Sequence, residues 1–226
     1  IEQDSVQLSH RAHGVFIVLG PYNFPGHLPN GHLVPALLAG NTILFKPSEL
    51  TPMIAIAMVK LLEEAGIPPG VVNLVQGDAD VGKLLLASKP DGVLFTGSYA
   101  TGKKIHAFFA GQPEVLLALE MGGNNPLIIS ETKELDAAIF ITVMSAFITS
   151  GQRCTCARRL FVPDTQWGDN FIIELTKRVK ALVISGYNSE KEPFMGPVIS
   201  VKVANVLLAK QALWQSLGAE LILQMI

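Results

Sequence analysis

The sequence predicts an α/β fold built on a parallel sheet. Short β-rich apolar runs alternate with helical stretches from Gly14 to Glu120, and glycines and prolines punctuate the joins. With 226 residues, 49% of them hydrophobic, the chain is long enough to bury one large core or two modest ones. Strands that alternate with helices imply right-handed βαβ units and a sheet covered on both faces.

Val15–Leu19 is the first predicted strand; a Pro/Gly/Asn loop and an apolar helical stretch to Leu38 follow it. Thr42–Phe45 is the second strand. Thr51 and Pro52 predict a helix start, with threonine as cap and proline in the first turn. The helical period then runs from Met53 to Ala65, where Gly66, Pro68 and Pro69 stop it. Val71–Val75 is a strand, Ala79–Ala87 a helix and Val93–Phe95 a strand. A helix from about Thr101 to Phe109 and a strand at Val115–Leu119 complete the series. Gly122–Gly123 is the expected hinge to a second unit. There Pro126–Ile129 is a strand, and Asp136 is expected to cap an apolar helix to about Thr149, ended by Ser150–Gly151. Arg159–Val162 is another strand, with an amphipathic helix through about Val183. The longest apolar run, Ala137 to Ile148, is shorter than the ~20 residues a bilayer span requires and reads as a buried helix.

A formal net charge of −2 without a basic block predicts neither a nucleic-acid nor a membrane partner. Cys154 and Cys156 are too close to close a loop, and Cys-x-Cys without nearby ligands is a poor zinc site. No metal is expected, and a reduced, cytoplasmic setting is the simplest reading. The chain opens on Ile1 with no address signal and closes on an apolar, strand-like run, Leu221 to Ile226. A processed product or partial chain is the expectation.

In parallel sheets, ligands bind beyond the carboxyl ends of the strands. The unusual residues occur there: Asn23, Lys46 with Glu49, Gly97 to Gly102, and Glu120. Gly20-Pro21-Tyr22-Asn23-Phe24-Pro25-Gly26 is a rigid turn presenting one amide, suited to an oxyanion hole or simply to a turn. Lys46 and Glu49 can bind ribose hydroxyls or form a surface ion pair. Gly97-Ser98-Tyr99-Ala100-Thr101-Gly102 joins a strand to a helix and can offer backbone N–H groups to a pyrophosphate, although it is not G-x-G-x-x-G. Glu120 ends a strand before two glycines that let a ligand or another backbone approach. It is either a general base or an edge charge. Cys154 follows a helix end and a glycine, and Arg153 beside it favours a thiolate. A buried structural cysteine is the alternative.

In that order, PYNFP, KPSE, FTGS, LEMGG and GQRC resemble the motifs of the aldehyde dehydrogenase superfamily, and the match covers essentially the whole chain. The interval from Glu120 to Cys154 fits the family's base-to-nucleophile spacing. The resemblance implies a parallel Rossmann-like cofactor sheet plus the start of an α/β catalytic domain. Residues 1–122 would be the C-terminal portion of an NAD-binding domain, and 123–226 the N-terminal portion of a catalytic domain. It implies that Cys154 attacks an aldehyde and that Asn23 and the Cys154 N–H hold the oxyanion. Glu120 then activates water against the thioester. Lys46 and Glu49 would hold the adenosine ribose, and Gly97, Ser98, Tyr99, Ala100, Thr101 and Gly102 would lie along the dinucleotide. Glu49 would repel a 2′-phosphate, which favours NAD over NADP.

Where many family members carry Trp-Lys, this chain has Gly31 and His32. The run GHLPNGH, with LEMGGNNP and SGQRCTCARR, resembles the members that oxidise N-succinylglutamate 5-semialdehyde in arginine catabolism. Arg153 is the candidate partner for a substrate carboxylate. His27 and His32 are equally open to loop packing or substrate contact. The resemblance further implies a homo-oligomer at full length and about twice this many residues, so a polypeptide ending at Ile226 is expected to be poorly active. A CoA-acylating relative and a non-enzymatic relative are the competing readings; Glu120 opposes the first, and intact Cys154, Glu120 and Asn23 oppose the second.

Overall fold

The computed structural model describes residues 6–225. They divide into two compact units, one up to Met121 and one from Gly122 onward.

The first unit is a five-stranded, wholly parallel sheet. Its strands are β1 (Val15–Leu19), β2 (Thr42–Lys46), β3 (Val72–Leu74), β4 (Gly92–Gly97) and β5 (Leu116–Met121), in the order β3-β2-β1-β4-β5. Its helices are α1 (His27–Leu38), α2 (Pro52–Glu64), α3 (Ala79–Leu86) and α4 (Tyr99–Phe108). Side chains alternate across the sheet. Phe16, Val18, Ile43 is joined by Phe45 and Leu94 in packing against Leu33 and Ala36 of α1 and Ala55 and Val59 of α2. Val93 and Phe95 face the other way, with Ile105 of α4, Phe109, and Leu86 of α3. The strand order reverses between β1 and β4, which opens a crevice past their carboxyl ends.

The second unit pairs β6 (Asn125–Ile128) with β7 (Ala157–Phe161) in parallel. Its core packs α5 (Leu135–Phe147) on α6 (Gln166–Lys180) through Ile139, Val143 and Phe171, with Trp167 stacked on Phe171 at 5.4 Å.

Local signals fail at six places. Thr51 sits at the start of α2 but its hydroxyl makes no cap and is buried without a partner. Its ψ is 47°, whereas the working caps Ser98 and Ser200 have extended ψ of 147° and 156°. Asp136 lies inside the first turn of α5 rather than capping it, 3.7 Å from Arg178. A turn in which Thr132 Oγ1 accepts from Glu134 N starts that helix earlier. The helix then stops at Phe147, two residues short of Thr149, because Thr149 and Ser150 adopt left-handed φ. It is also not buried all round: Phe140 and Ile141 lie exposed on the face away from α6. Residues 221–225 form no strand, since Met225 N donates to Gln211 Oε1 and the segment folds against α7 (Val201–Ser216). That last helix was absent from the sequence reading; its apolar residues follow no single face, and only Ser200 as cap and Gly218 (φ 93°) beyond its end mark it. Among the described residues no helix is long and apolar enough to cross a membrane.

Candidate active site

In the first unit the carboxyl edge of the sheet gathers the predicted polar residues. Lys46 is the last residue of β2 and Gly97 of β4, while Glu120 is paired with Thr96 one step inside β5. Asn23 is half-buried in the loop between β1 and α1. That loop leaves the sheet at Gly20, whose N–H donates to Lys46 O at 2.9 Å. A side chain at Gly20 would meet Pro29 at 2.8 Å, so glycine there permits the close approach of α1.

Lys46 is buried, with 8% of its surface exposed, and burial lowers its pKa against the opposing pull of Glu49 and Asp78. Nζ donates to Pro47 O at 3.1 Å and stands 3.9 Å from Glu49 Oε2, so the two predicted ribose partners do meet. Glu49 remains about half exposed.

The glycine turn after β4 has a packing reason for its composition. A Cβ on Gly97 would lie 2.5 Å from the Phe95 ring, and one on Gly102 would collide with the Met121 thioether. Ser98 caps α4: its Oγ accepts from Thr101 N at 3.2 Å and donates to Thr101 Oγ1 at 2.9 Å. Tyr99 and Ala100 occupy the first turn, where N–H groups have no intrahelical acceptor.

On the same face of the sheet as α1 lies a residue that sequence reasoning left undecided. His32 Nε2 and the Thr96 hydroxyl are hydrogen-bonded at 3.0 Å. Burial lowers the His32 pKa, and the Glu120 carboxylate pulls it partly back.

In the second unit Cys154 is exposed and Cys156 buried, and both thiols are free. Cys154 occupies a turn closed by Cys156 N donating to Arg153 O. The turn is held from two sides. Asn125 Nδ2 donates to the carbonyls of Cys154 (2.7 Å) and Cys156 (3.1 Å). Arg158 donates from Nη1 to Gly151 O (2.7 Å) and from Nη2 to Arg153 O (3.1 Å). Gly123 is approached by another backbone rather than left open: a Cβ there would stand 3.0 Å from the Cys154 carbonyl oxygen.

The approach to the turn is strained. Thr149, Ser150 and Gly151 have φ of 56°, 56° and 67° in succession. A left-handed conformation costs a non-glycine residue about 1–2 kcal/mol. Side chains offset it: Ser150 Oγ donates to Gly196 O at 2.7 Å, and Arg153 Nε donates to Thr149 Oγ1 at 2.8 Å. Arg153 thus has at least one donor committed to the loop itself. Sequence reading missed Asn125 and Arg158, which lie within LEMGGNNP and CARR but pair with carbonyls that carry no sequence signature. Among the described residues no three His, Cys, Asp or Glu side chains converge as a metal site.

Comparison with known proteins gives these features a context. The N-succinylglutamate 5-semialdehyde dehydrogenase of Legionella pneumophila (strain Corby) is 53% identical over 218 residues, which is 96% of this chain and 44% of that protein. The protein of the same name from Enterobacter sp. (strain 638) is 58% identical over 199 residues, 88% of this chain and 40% of its own length. The solved lactaldehyde dehydrogenase of Escherichia coli matches with a TM-score of 0.87 at 38% identity, covering 94% of this chain and 45% of that one. The chain therefore spans less than half the length of the curated relatives it matches. A model described as the aldehyde dehydrogenase family matches residues 2–225, and the chain belongs to that family.

Proposed function

We propose that the protein carrying this chain oxidises N-succinylglutamate 5-semialdehyde to N-succinylglutamate, with NAD as acceptor. The observation that carries the chemistry is an exposed Cys154 thiol in a turn whose carbonyls are tied back by Asn125 and Arg158. The names of the two relatives, at 53% and 58% identity, support the substrate.

In this reading unit 122–226 supplies the nucleophile and unit 1–121 binds the cofactor. Cys154 Sγ adds to the aldehyde carbon, and Asn23 with the Cys154 N–H stabilises the oxyanion formed. Bound NAD supplies the hydride acceptor that turns the adduct into a thioester. Glu120 then takes a proton from water, which attacks the thioester carbonyl and releases the acid and the Cys154 thiol. Arg153, next in sequence to the nucleophile, meets a substrate carboxylate, because a guanidinium fork suits that group.

The residues of the first unit fit a dinucleotide. A lysine ammonium has three donors, and Lys46 Nζ spends one on the Pro47 carbonyl, leaving capacity for ribose hydroxyls. Glu49, half exposed beside it, accepts from a ribose diol and repels a 2′-phosphate, which favours NAD over NADP. The first-turn amides of Tyr99 and Ala100 are oriented for an anion.

A substrate panel on the full-length protein tests the reading: succinylglutamate semialdehyde, succinate semialdehyde and aliphatic aldehydes, each with NAD and NADP. The highest kcat/KM is expected for succinylglutamate semialdehyde with NAD. Cys154→Ala should abolish oxidation while NAD still binds. Glu120→Gln should give a burst of NADH followed by slow turnover. Steady turnover by Cys154→Ala would remove the nucleophile assignment, and a better succinate semialdehyde rate would remove the substrate.

A further inference from the structure

Glu120 has a neighbour that the proposed reaction leaves unused. Leu94 and Ala118 pack with Leu33 and Ala36 on the α1 face of the sheet. Two residues further along each strand, Thr96 and Glu120 project to that same face, because side chains alternate with period two. They are register partners on adjacent parallel strands, which lie ~4.8 Å apart. His32 comes down on them from α1 and is hydrogen-bonded to the Thr96 hydroxyl at 3.0 Å. A helix side chain, a hydroxyl and a carboxylate thus converge within one unit, and none of them belongs to the apolar core.

We propose that His32 is a positioning residue for Glu120: an imidazole, fixed by Thr96 beside the carboxylate, that governs how Glu120 is held for the attacking water. The inference rests on Glu120 being the base that activates water for thioester hydrolysis.

The surroundings leave Glu120 as the group coupled to His32. Strands β1 and β4 carry no ionisable side chain, and Glu120 is the one ionisable residue of β5. Lys46, at the end of β2, is engaged with Pro47 and Glu49. Arg11 and His13 line the groove beside His32 from the segment before β1. Burial disfavours the imidazolium, so His32 is uncharged at neutral pH; Glu120 opposes this only in part. When His32 takes up a proton as pH falls, the cation formed beside Glu120 draws the carboxylate into an ion pair and away from the attacking water.

Pre-steady-state kinetics of the full-length enzyme separate this role from a merely structural one. The NADH burst reports acylation, and the steady rate that follows reports thioester hydrolysis. For His32→Gln the burst should persist, and the acid-side fall of the steady rate should move to lower pH by half a unit or more. For Thr96→Val, which frees the imidazole, hydrolysis should slow several-fold, and Thr96→Ser should restore it. An unmoved acid limb in His32→Gln, or equal loss of burst and steady rates in both His32→Gln and Thr96→Val, overturns the role of His32. Glu120→Gln run alongside distinguishes the two levels. If Glu120→Gln hydrolyses its thioester normally, the base assignment fails and takes this inference with it. If only the His32 and Thr96 variants are silent, the base assignment stands and the inference fails.

Discussion

Asn125, the first residue of β6, ties the second unit's small sheet to the nucleophile turn. One amide nitrogen donates to two carbonyls, those of Cys154 and Cys156, at 2.7 and 3.1 Å. Removing it leaves both acceptors to find water and releases the turn from β6; one lost bond of this kind costs about 1–3 kcal/mol where the group stays buried. Asn125→Ala is therefore expected to lower aldehyde turnover at least tenfold and to change the alkylation rate of Cys154, with a smaller loss of stability. Asn125→Asp should be worse, because it sets an acceptor against two acceptors. Unchanged alkylation in both variants would show that the turn stands without Asn125. The residue was not legible as a site residue. An asparagine before proline reads locally as a turn former, and its partners lie 29 and 31 positions away in sequence. Cys154 and Glu120, by contrast, stand out because Cys154 follows a helix end and Glu120 lies at the end of a strand.

At the scale of elements, the strands of the parallel sheet were readable because apolar β-rich runs between glycines leave few alternatives. What was not readable was set by packing that the local pattern does not show. The Phe95 ring decides why residue 97 must be glycine, although locally Gly97 looked like part of a phosphate-binding turn. The ring is buried, with 5% of its surface exposed. Gly97→Ala should overpack the β4–α4 junction and destabilise the protein by about 1–3 kcal/mol in urea unfolding. An unchanged midpoint would mean that the ring yields and that the glycine serves some other purpose. Helix α7 escaped for a related reason. Its buried residue is the polar Gln211, while Val206, Leu213 and Trp214 lie exposed, so the usual apolar stripe is inverted. The Thr51 cap fails although its local signal is good, because a ψ of 47° departs from the extended backbone of a working cap.

For the molecule as a whole, two basic side chains of the first unit, buried Lys46 and half-buried His32, make stability depend on pH. His32 and Lys46 both have pKa values lowered by burial, so their charged forms are disfavoured in the folded state. Where a group's folded pKa is depressed, the unfolded chain binds more protons between the two values, and stability rises with pH across that window. For His32 the window opens below the free histidine value of about 6.5, and its contribution is lost as pH falls toward the folded pKa. For Lys46 the window lies below about 10.5, so at neutral pH the cost of burying its charge is already carried. Two outcomes follow from these signs. The urea midpoint should fall as pH drops below about 6.5, and His32→Gln should flatten that fall. Lys46→Met, which keeps the buried chain and removes the charge, should raise the midpoint at pH 7 while weakening NAD binding about tenfold, because apolar replacements of buried charge are often stabilising. Equilibrium unfolding and NAD titration of the same variant measure both. A variant that loses stability and cofactor affinity together would mean that the bonds from Lys46 to Pro47 and Glu49 outweigh its desolvation, making it a strut of the sheet edge rather than a charge held in place for a ligand.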